Sequence, residues 1–556
     1  MNSIRSAYQR WLDHPGMPED LKQELLHMRD DPGLQEDCFY RSLSFGTGGL
    51  RGTMGAGSNR MNDYTVLRAT RGLAKWLHAQ GDLPSCAIGF DNRHQSRRFA
   101  QLVAAALADS GVRVHLFEEL CPTPMLSFAV RYLRCDGGVM ITASHNPKEY
   151  NGYKVYDATG CQILDEAAEE IKALMEAEEE LVPAFPAYDD QLHKGFIRPI
   201  GRDVQDAYHA AVLGLSVMTP STPLDVVYTP LHGAGLRAVR RVLGDLPNIR
   251  LTVVPEQEHP DGSFPTVPKP NPEDPAAMAL ASELMLKEGA DICLATDPDC
   301  DRLGVGVRLK DGHRFLSGNE IGVLMLHFIC EARTLKGTMP ECPTAVKTIV
   351  TTPMADAIAQ QYQVKLIQVL TGFKYIGNTI NRLARDGQEQ RYILGFEESY
   401  GYLSGTHVRD KDAVNAALLV CEMASYYKGV GSNLWEAYEA LCERYGRFNT
   451  ALETLQFEGA QGAHRLQRVM ASLREAPLVA GLPIAQRTDY LHDDTGLPPS
   501  DVLVFQLEGD RTLVVRPSGT EPLLKLYLSL KAGEGEEADA MAAFRQAARQ
   551  MVEEIA

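Results

Sequence analysis

Three stretches of the chain repeat one order of elements, and that order restricts the possible folds more than any other feature. Residues 86–117 (CAIGFDNRHQSRRFAQLVAAALADSGVRVHLF), 225–255 (DVVYTPLHGAGLRAVRRVLGDLPNIRLTVVP) and 346–372 (VKTIVTTPMADAIAQQYQVKLIQVLTG) each read as strand, polar loop, helix, strand. This is the pattern of a parallel βαβ crossover. Residue identity between the stretches is weak, so what recurs is topology rather than sequence. A chain of 556 residues exceeds what one hydrophobic core supports, and domains of about 100–200 residues are expected.

Each unit leads to a further strand whose end carries reactive side chains. GGVMITAS ends at Ser144, ADICLATDPD in a carboxylate cluster, and RYILGFEES at Glu397 and Ser399. Ligands of open α/β sheets bind outside the carboxyl ends of the strands, so these three ends are candidates to face one cleft. After about residue 445 the pattern changes to short strands with Gly and Pro turns (VLVFQLEGDRTLVVRPSGTEPLLKLYLSL), followed by a charged helical tail. That predicts a smaller α+β domain. Candidate linkers lie at residues 182–191, 315–320 and 445–450.

Composition narrows the partners. The formal net charge is -18, which repels nucleic acid and anionic membrane. An anionic ligand would then need a local cluster of Arg and Lys. The eleven cysteines show no CxxC or CxxH spacing, arguing against a structural zinc site or a disulfide framework. No apolar run approaches the roughly 18 residues of a membrane span, and the N-terminus does not read as a signal peptide. These features predict a soluble, cytoplasmic protein.

DPDCDR places Asp297, Asp299 and Asp301 at alternating positions. Carboxylates this close repel one another, and a hard cation such as Mg²⁺ or Ca²⁺ relieves the repulsion. An EF-hand is excluded, because its Gly and Glu positions are occupied by Arg302 and Arg308. A solvated acidic turn would carry the same residues, but this loop follows a strongly apolar strand.

TASHNP sets Ser144 beside His145. A lone serine is a poor nucleophile, and neighbouring side chains of an extended segment point to opposite faces, which makes His145 an awkward base. There is no GxSxG elbow. A serine oxygen that carries a phosphoryl group beside a metal fits better than acyl transfer. An Asn-Pro turn is the plain alternative.

RPSGTEP offers Arg516, Ser518, Gly519 and Thr520 as an anion cradle, although Pro-Ser-Gly is also ordinary turn chemistry. In GFEESYG, Glu397 and Ser399 lie two residues apart and share a face, suited to vicinal sugar hydroxyls. FGTGGLRGTMGAG is Gly-rich without dinucleotide spacing and suits a close backbone approach or a flexible segment; Arg51 is its one cation, placed to face a transferring phosphate.

TASHNP, DPDCDR, GFEES and RPSGTEP, in that order, with FGTGGLRG, NGYK, TGFK and DKDAV, closely resemble the α-D-phosphohexomutase family, in its longer phosphoglucomutase and phosphopentomutase branch. The resemblance spans about residues 40–530. It implies an α/β protein with three similar α/β domains of mixed, mostly parallel sheets and a C-terminal α+β domain around a central cleft. The expected divisions are 1–200 with the phosphoserine loop, 201–318 with the metal loop, 319–445 with the sugar loop and 446–556 with the phosphate loop. By resemblance Ser144 is the phosphoserine, and Asp297, Asp299 and Asp301 bind Mg²⁺ with one of its oxygens. Arg51, His145, Lys154 and Lys411 are the other catalytic candidates. Thr47, Arg302, Thr371, Gly372, Lys374, Glu397 and Ser399 are expected to contact substrate, and Arg516, Ser518, Gly519 and Thr520 the phosphate that is not reacting. Cys300, the variable position of the metal loop, is not counted as a ligand.

The implied reaction interconverts glucose 1-phosphate and glucose 6-phosphate through glucose 1,6-bisphosphate, in a monomer or homodimer. His145, Lys154 and Lys411 are alternative proton carriers. Competing readings are a phosphopentomutase, a phosphomannomutase, a sugar-bisphosphate synthase, a phosphatase, or a non-catalytic binder of metal and sugar phosphate.

Overall fold

The first of the three repeated stretches folds into the strand Ser85–Phe90, the helix Ser96–Asp109 and the strand Arg113–Phe117, with the two strands parallel and Ser85 opposite Arg113. The second gives Leu224–Thr229, Leu236–Gly244 and Ile249–Val253, again with parallel strands. The third gives Thr344–Thr348, Met354–Gln361 and Lys365–Val369. The computed structural model describes residues 2–46, 48–457, 462–518, 523–531 and 537–556. Thr47, Gly519 and Thr520, named above as candidate ligands, lie outside these described residues. The chain divides into two compact units, Met1–Thr344 with Gly372–Leu434, and Ala345–Thr371 with Trp435–Ala556.

In the first unit a six-stranded sheet runs in the order Gly49–Thr53, Tyr150–Asp157, Gly137–Ile141, Ser85–Phe90, Arg113–Phe117, Ile197–Ile200. The last four strands are parallel and the first two antiparallel. Gly137–Ile141 and Ser85–Phe90 are buried at every residue, as uninterrupted apolar runs in a parallel sheet covered on both faces should be. The Gly-rich segment is therefore not a loose loop. Its residues Gly49–Thr53 form an edge strand that sets Arg51 opposite Gly152.

A second, five-stranded sheet has the order Gly312–Leu316, Leu303–Leu309, Ile292–Thr296, Leu224–Thr229, Ile249–Val253. It is parallel at its Ile249 end and antiparallel at its Gly312 end. The same unit carries the short hairpin of Tyr392–Phe396 with Tyr402–Leu403. In both larger sheets the crossover helices fix the parallel strands, and the reactive loops leave from their carboxyl ends.

The second unit holds a six-stranded, wholly antiparallel sheet, from Phe448–Gln456 through Leu523–Lys531, Arg511–Pro517, Leu503–Leu507 and Leu482–Asp489 to Leu478–Val479. Val469, Met470 and Leu473 of one helix and Phe544, Ala548 and Val552 of another join the sheet's apolar side chains in one core. This is the α+β build expected of the tail. All eleven cysteines are free. Among the described residues no helix is long and apolar enough to cross a membrane.

One buried carboxylate braces the first unit away from the sheet ends. Glu422, on the helix Ala413–Gly429, accepts from Ser216 Oγ and from the backbone N–H groups of Val217 (3.0 Å) and Met218 (3.2 Å). Burial outweighs these donors and pushes its pKa up to about 7. A folded-state pKa above the unfolded one favours the fold at low pH, and this contribution is lost as pH rises from about 4.5 through about 7. Thermal unfolding of the wild type and Glu422→Gln, compared from pH 5 to 8, should show the wild type losing stability relative to the variant, by on the order of 3 kcal/mol in full. A constant difference across that range would refute the assignment.

Candidate active site

Ser144 follows the buried strand Gly137–Ile141 and adopts φ 51°, a left-handed conformation that is uncommon outside glycine and asparagine. The extended geometry expected from sequence therefore fails at this residue, and with it the reason for setting His145 aside. His145 Nδ1 lies 3.2 Å from Ser144 Oγ. Ser144 Oγ also donates to Asp297 Oδ2 at 2.7 Å. The serine loop of the first sheet and the carboxylate loop of the second thus meet at one hydroxyl.

The three aspartates follow the strand Ile292–Thr296 and are fully buried. Asp297 Oδ1 caps the loop by accepting from the N–H groups of Asp301 (3.0 Å) and Arg302 (2.9 Å). Asp299 Oδ2 accepts from Thr123 Oγ1 and Lys154 Nζ, each at 2.8 Å. Asp301 Oδ2 accepts from Lys154 Nζ (3.3 Å) and lies 2.9 Å from Lys411 Nζ. Burial works to raise all three carboxyls. At Asp299 the Lys154 ammonium overrides it, and at Asp301 the Lys411 and Lys154 ammoniums do so, holding both below the usual range. Asp297 has neither lysine; burial and the charges of Asp301 and Asp299 push it well up.

Two lysines thus balance two carboxylates, and neither pairs with the third. Asp299 Oδ1 and Asp301 Oδ1 are buried without a hydrogen-bond partner. One oxygen from each aspartate lies within 4.8 Å of the others. Orphaned carboxylate oxygens in an all-oxygen set are the donors a hard divalent cation takes, so the residues fit such an ion. Cys300 is buried with its Sγ near the spot where a side-chain carbon on Gly235 would sit, and it is not in the acidic group.

The surroundings divide the charged groups by role. Lys154 is buried and Lys411 half-buried; desolvation alone would discharge them, but Asp299 and Asp301 hold Lys154, and Asp301, Asp410 and Glu397 hold Lys411, above the usual lysine value. They are fixed cations. His145 is pushed well below its usual value, first by burial and then by the guanidinium charges of Arg302 and Arg51, and stands as a neutral imidazole beside the hydroxyl. Arg51 Nη1 donates to Asn146 Oδ1 at 3.1 Å, which brings the Gly-rich strand to the serine loop.

Glu397 is buried at the end of Tyr392–Phe396, accepts from the N–H of Gly372 at 3.0 Å, and is raised by burial against the opposing charges of Lys411 and Arg302. Ser399 is half-buried in the same loop. The Lys374 ammonium donates to Asp165 Oδ1 at 2.7 Å, and Tyr375 binds the other oxygen of that carboxylate. Thr371, Arg516 and Ser518 belong to the second unit. There Arg516 pairs with Lys525 across two strands, and the Ser518 N–H donates to the carbonyl of Leu523 at 2.8 Å.

Sequence reasoning missed several groups that hold this site. Thr123 starts the helix Thr123–Tyr132 and binds Asp299 twice, through its hydroxyl and through its N–H. Thr142 Oγ1 accepts from the Ser144 N–H at 2.8 Å and donates to Asp91 Oδ2 at 2.6 Å. Arg93 is buried beneath the serine loop. The available signal was position: FDNR follows a buried parallel strand, as the recognised motifs do.

Comparison with known proteins identifies the family. Models of the phosphoglucomutase/phosphomannomutase alpha/beta/alpha domains I, II and III match residues 42–182, 206–310 and 317–445. A phosphoglucomutase of Staphylococcus aureus (strain MRSA252) is 36% identical over 520 residues, covering 89% of this chain and 91% of the relative. The open form of pp63/parafusin, a Paramecium phosphoglucomutase, superposes with TM-score 0.70 at 18% identity, covering 92% of this chain and 95% of that one. N-acetylphosphoglucosamine mutase of Aspergillus fumigatus, in complex with GlcNAc-6P and magnesium, gives TM-score 0.52 at 16% identity over 99% of both chains. The chain is an enzyme of the phosphoglucomutase/phosphomannomutase, or α-D-phosphohexomutase, family.

Proposed function

We propose that the enzyme interconverts glucose 1-phosphate and glucose 6-phosphate by relaying a phosphoryl group through Ser144. The observation that carries the reading is the 2.7 Å hydrogen bond from Ser144 Oγ into the buried aspartate triad. It places an alcohol oxygen where a phosphoryl group would meet both fixed cations and a cation site. The Staphylococcus aureus relative named phosphoglucomutase supports glucose as the sugar. Of the four proposed domains, 1–200, 201–318 and 319–445 draw support from the three matched domain models, and 446–556 from its separate antiparallel sheet.

In the first transfer the bond between Ser144 Oγ and phosphorus breaks. A new bond forms to the 6-hydroxyl oxygen of glucose 1-phosphate, and the hydroxyl proton ends on Ser144 Oγ. The bisphosphate turns over. In the second transfer Ser144 Oγ attacks the phosphorus at position 1 and regains the phosphoryl group; the bond from that phosphorus to the 1-oxygen breaks, and the serine proton ends on the 1-oxygen, leaving glucose 6-phosphate. His145, 3.2 Å from the hydroxyl, passes the proton between Ser144 Oγ and the sugar oxygen in each transfer. Lys154 and Lys411 stay protonated and act through charge. Arg51 and Arg302 face the anion whose charge spreads over three oxygens during transfer.

Asp297, Asp299 and Asp301 would hold Mg²⁺ together with an oxygen of the phosphorylated serine; the ion supplies charge neutralisation at the moving phosphoryl group. The magnesium complex of the Aspergillus fumigatus mutase supports that choice of ion.

Intact-mass spectrometry after incubation with glucose 1,6-bisphosphate should show one added phosphate in the wild type and none in Ser144→Ala. Conversion of glucose 1-phosphate should fall at least about a thousandfold in that variant; equal rates would end the reading. Steady release of inorganic phosphate would point to a phosphatase instead. Separately, Mn²⁺ binding followed by electron paramagnetic resonance should saturate at one ion per chain. Asp299→Asn or Asp301→Asn should weaken it by about tenfold or more, and unchanged binding would place the ion elsewhere.

A further inference from the structure

The serine loop is wrapped around one guanidinium. Arg93 Nη1 donates to the carbonyls of Pro147 (2.9 Å) and Tyr150 (3.1 Å), and Nη2 donates to those of Ser144 and Asn146. Arg93 Nε lies 3.3 Å from Asp91 Oδ2. The four hydrogen bonds all come from Nη1 and Nη2, while Nε makes only the ion pair. All four acceptors are main-chain carbonyls of residues 144–150. A lysine, with three donors on one point, has no comparable geometry.

The second sheet's domain closes over the same arginine. Phe264 stacks on the guanidinium at 5.1 Å. Gly262 packs so closely that a side-chain carbon there would lie 2.7 Å from the Asn92 carbonyl oxygen and 2.8 Å from the His94 nitrogen. His94 Nε2 meets Ser263 Oγ at 3.0 Å. Residues 262–264 belong to the matched domain II, which also carries the three aspartates.

We infer that Arg93 is a positioning residue that holds Ser144 in its left-handed conformation and, through Phe264 and Gly262, registers the serine loop of the first domain to the metal loop of the second. Thr142 fixes the N–H side of Ser144 and Arg93 its carbonyl side, so the peptide cannot relax towards an extended form without losing both. The hydroxyl is thereby kept on Asp297.

This inference rests on the phosphoserine reading, and the test separates the two. Phosphorylation of wild-type Ser144 by glucose 1,6-bisphosphate checks that reading alone. In Arg93→Lys, folded by circular dichroism, phosphorylation and kcat should fall about a hundredfold, with KM for glucose 1-phosphate within threefold of wild type. Methylguanidinium should restore part of the rate in Arg93→Gly. Phe264→Leu, which keeps an apolar side chain but removes the stacking ring, should lower kcat about tenfold with KM unchanged, and it carries the test if the Arg93 variants do not fold. Wild-type kcat in Phe264→Leu and in any folded Arg93 variant, or losses confined to thermal stability, would overturn the inference.

Discussion

The site depends on charge compensation inside a space with little water. Asp297, Asp299 and Asp301 are almost wholly excluded from solvent, and burying one unpaired carboxylate costs several kcal/mol. The chain meets that cost with Lys154 from the first sheet, Lys411 from the loop before the helix Ala413–Gly429, and the Thr123 hydroxyl. Each compensating group comes from a different element. The aspartates can therefore be buried only when those elements are docked together, and the docking is fixed by the same contacts. Lys411 itself is held in a loop pinned by Asp410 to the Tyr156 hydroxyl (2.8 Å) and by Asp412 to that of Tyr208 (2.9 Å).

Much of this was legible because the chemistry sits at the ends of apolar strands. The runs CAIGF, GGVMI and ICLAT read as buried parallel strands, and a polar residue just past such a run has few places to be other than a sheet's carboxyl edge. The α+β tail was legible from its turn residues. What was not legible were contacts made by folding alone. Nothing local marks Asp165 as the partner of Lys374, 209 residues away. Arg93 stood in a quoted stretch, but its four carbonyl partners are main-chain atoms that carry no sequence signature.

The clearest failure was conformational. Alternation of side chains holds only while the backbone is extended, and Ser144, at φ 51°, is where the extension stops. A sequence pattern can locate the end of a strand, but the direction of the first residue beyond it depends on what binds that peptide. Here Thr142 and Arg93 decide it. The outcome brings His145 to the hydroxyl instead of to the opposite face.

A plain alcohol gains nothing from its own pKa, so a serine that shuttles a phosphoryl group must be activated by placement. Phosphoryl transfer asks little covalent work of the protein and much positioning. The distribution of hydrogen bonds follows that demand. The main-chain oxygens of Ser144, Asn146, Pro147 and Tyr150 are tied to one guanidinium and the Ser144 N–H to Thr142, while the hydroxyl is aimed at the triad. Rigidity is spent on the loop rather than on the side chain. In the proposed relay, Oγ would exchange a proton for a phosphoryl group without disturbing the frame that holds it.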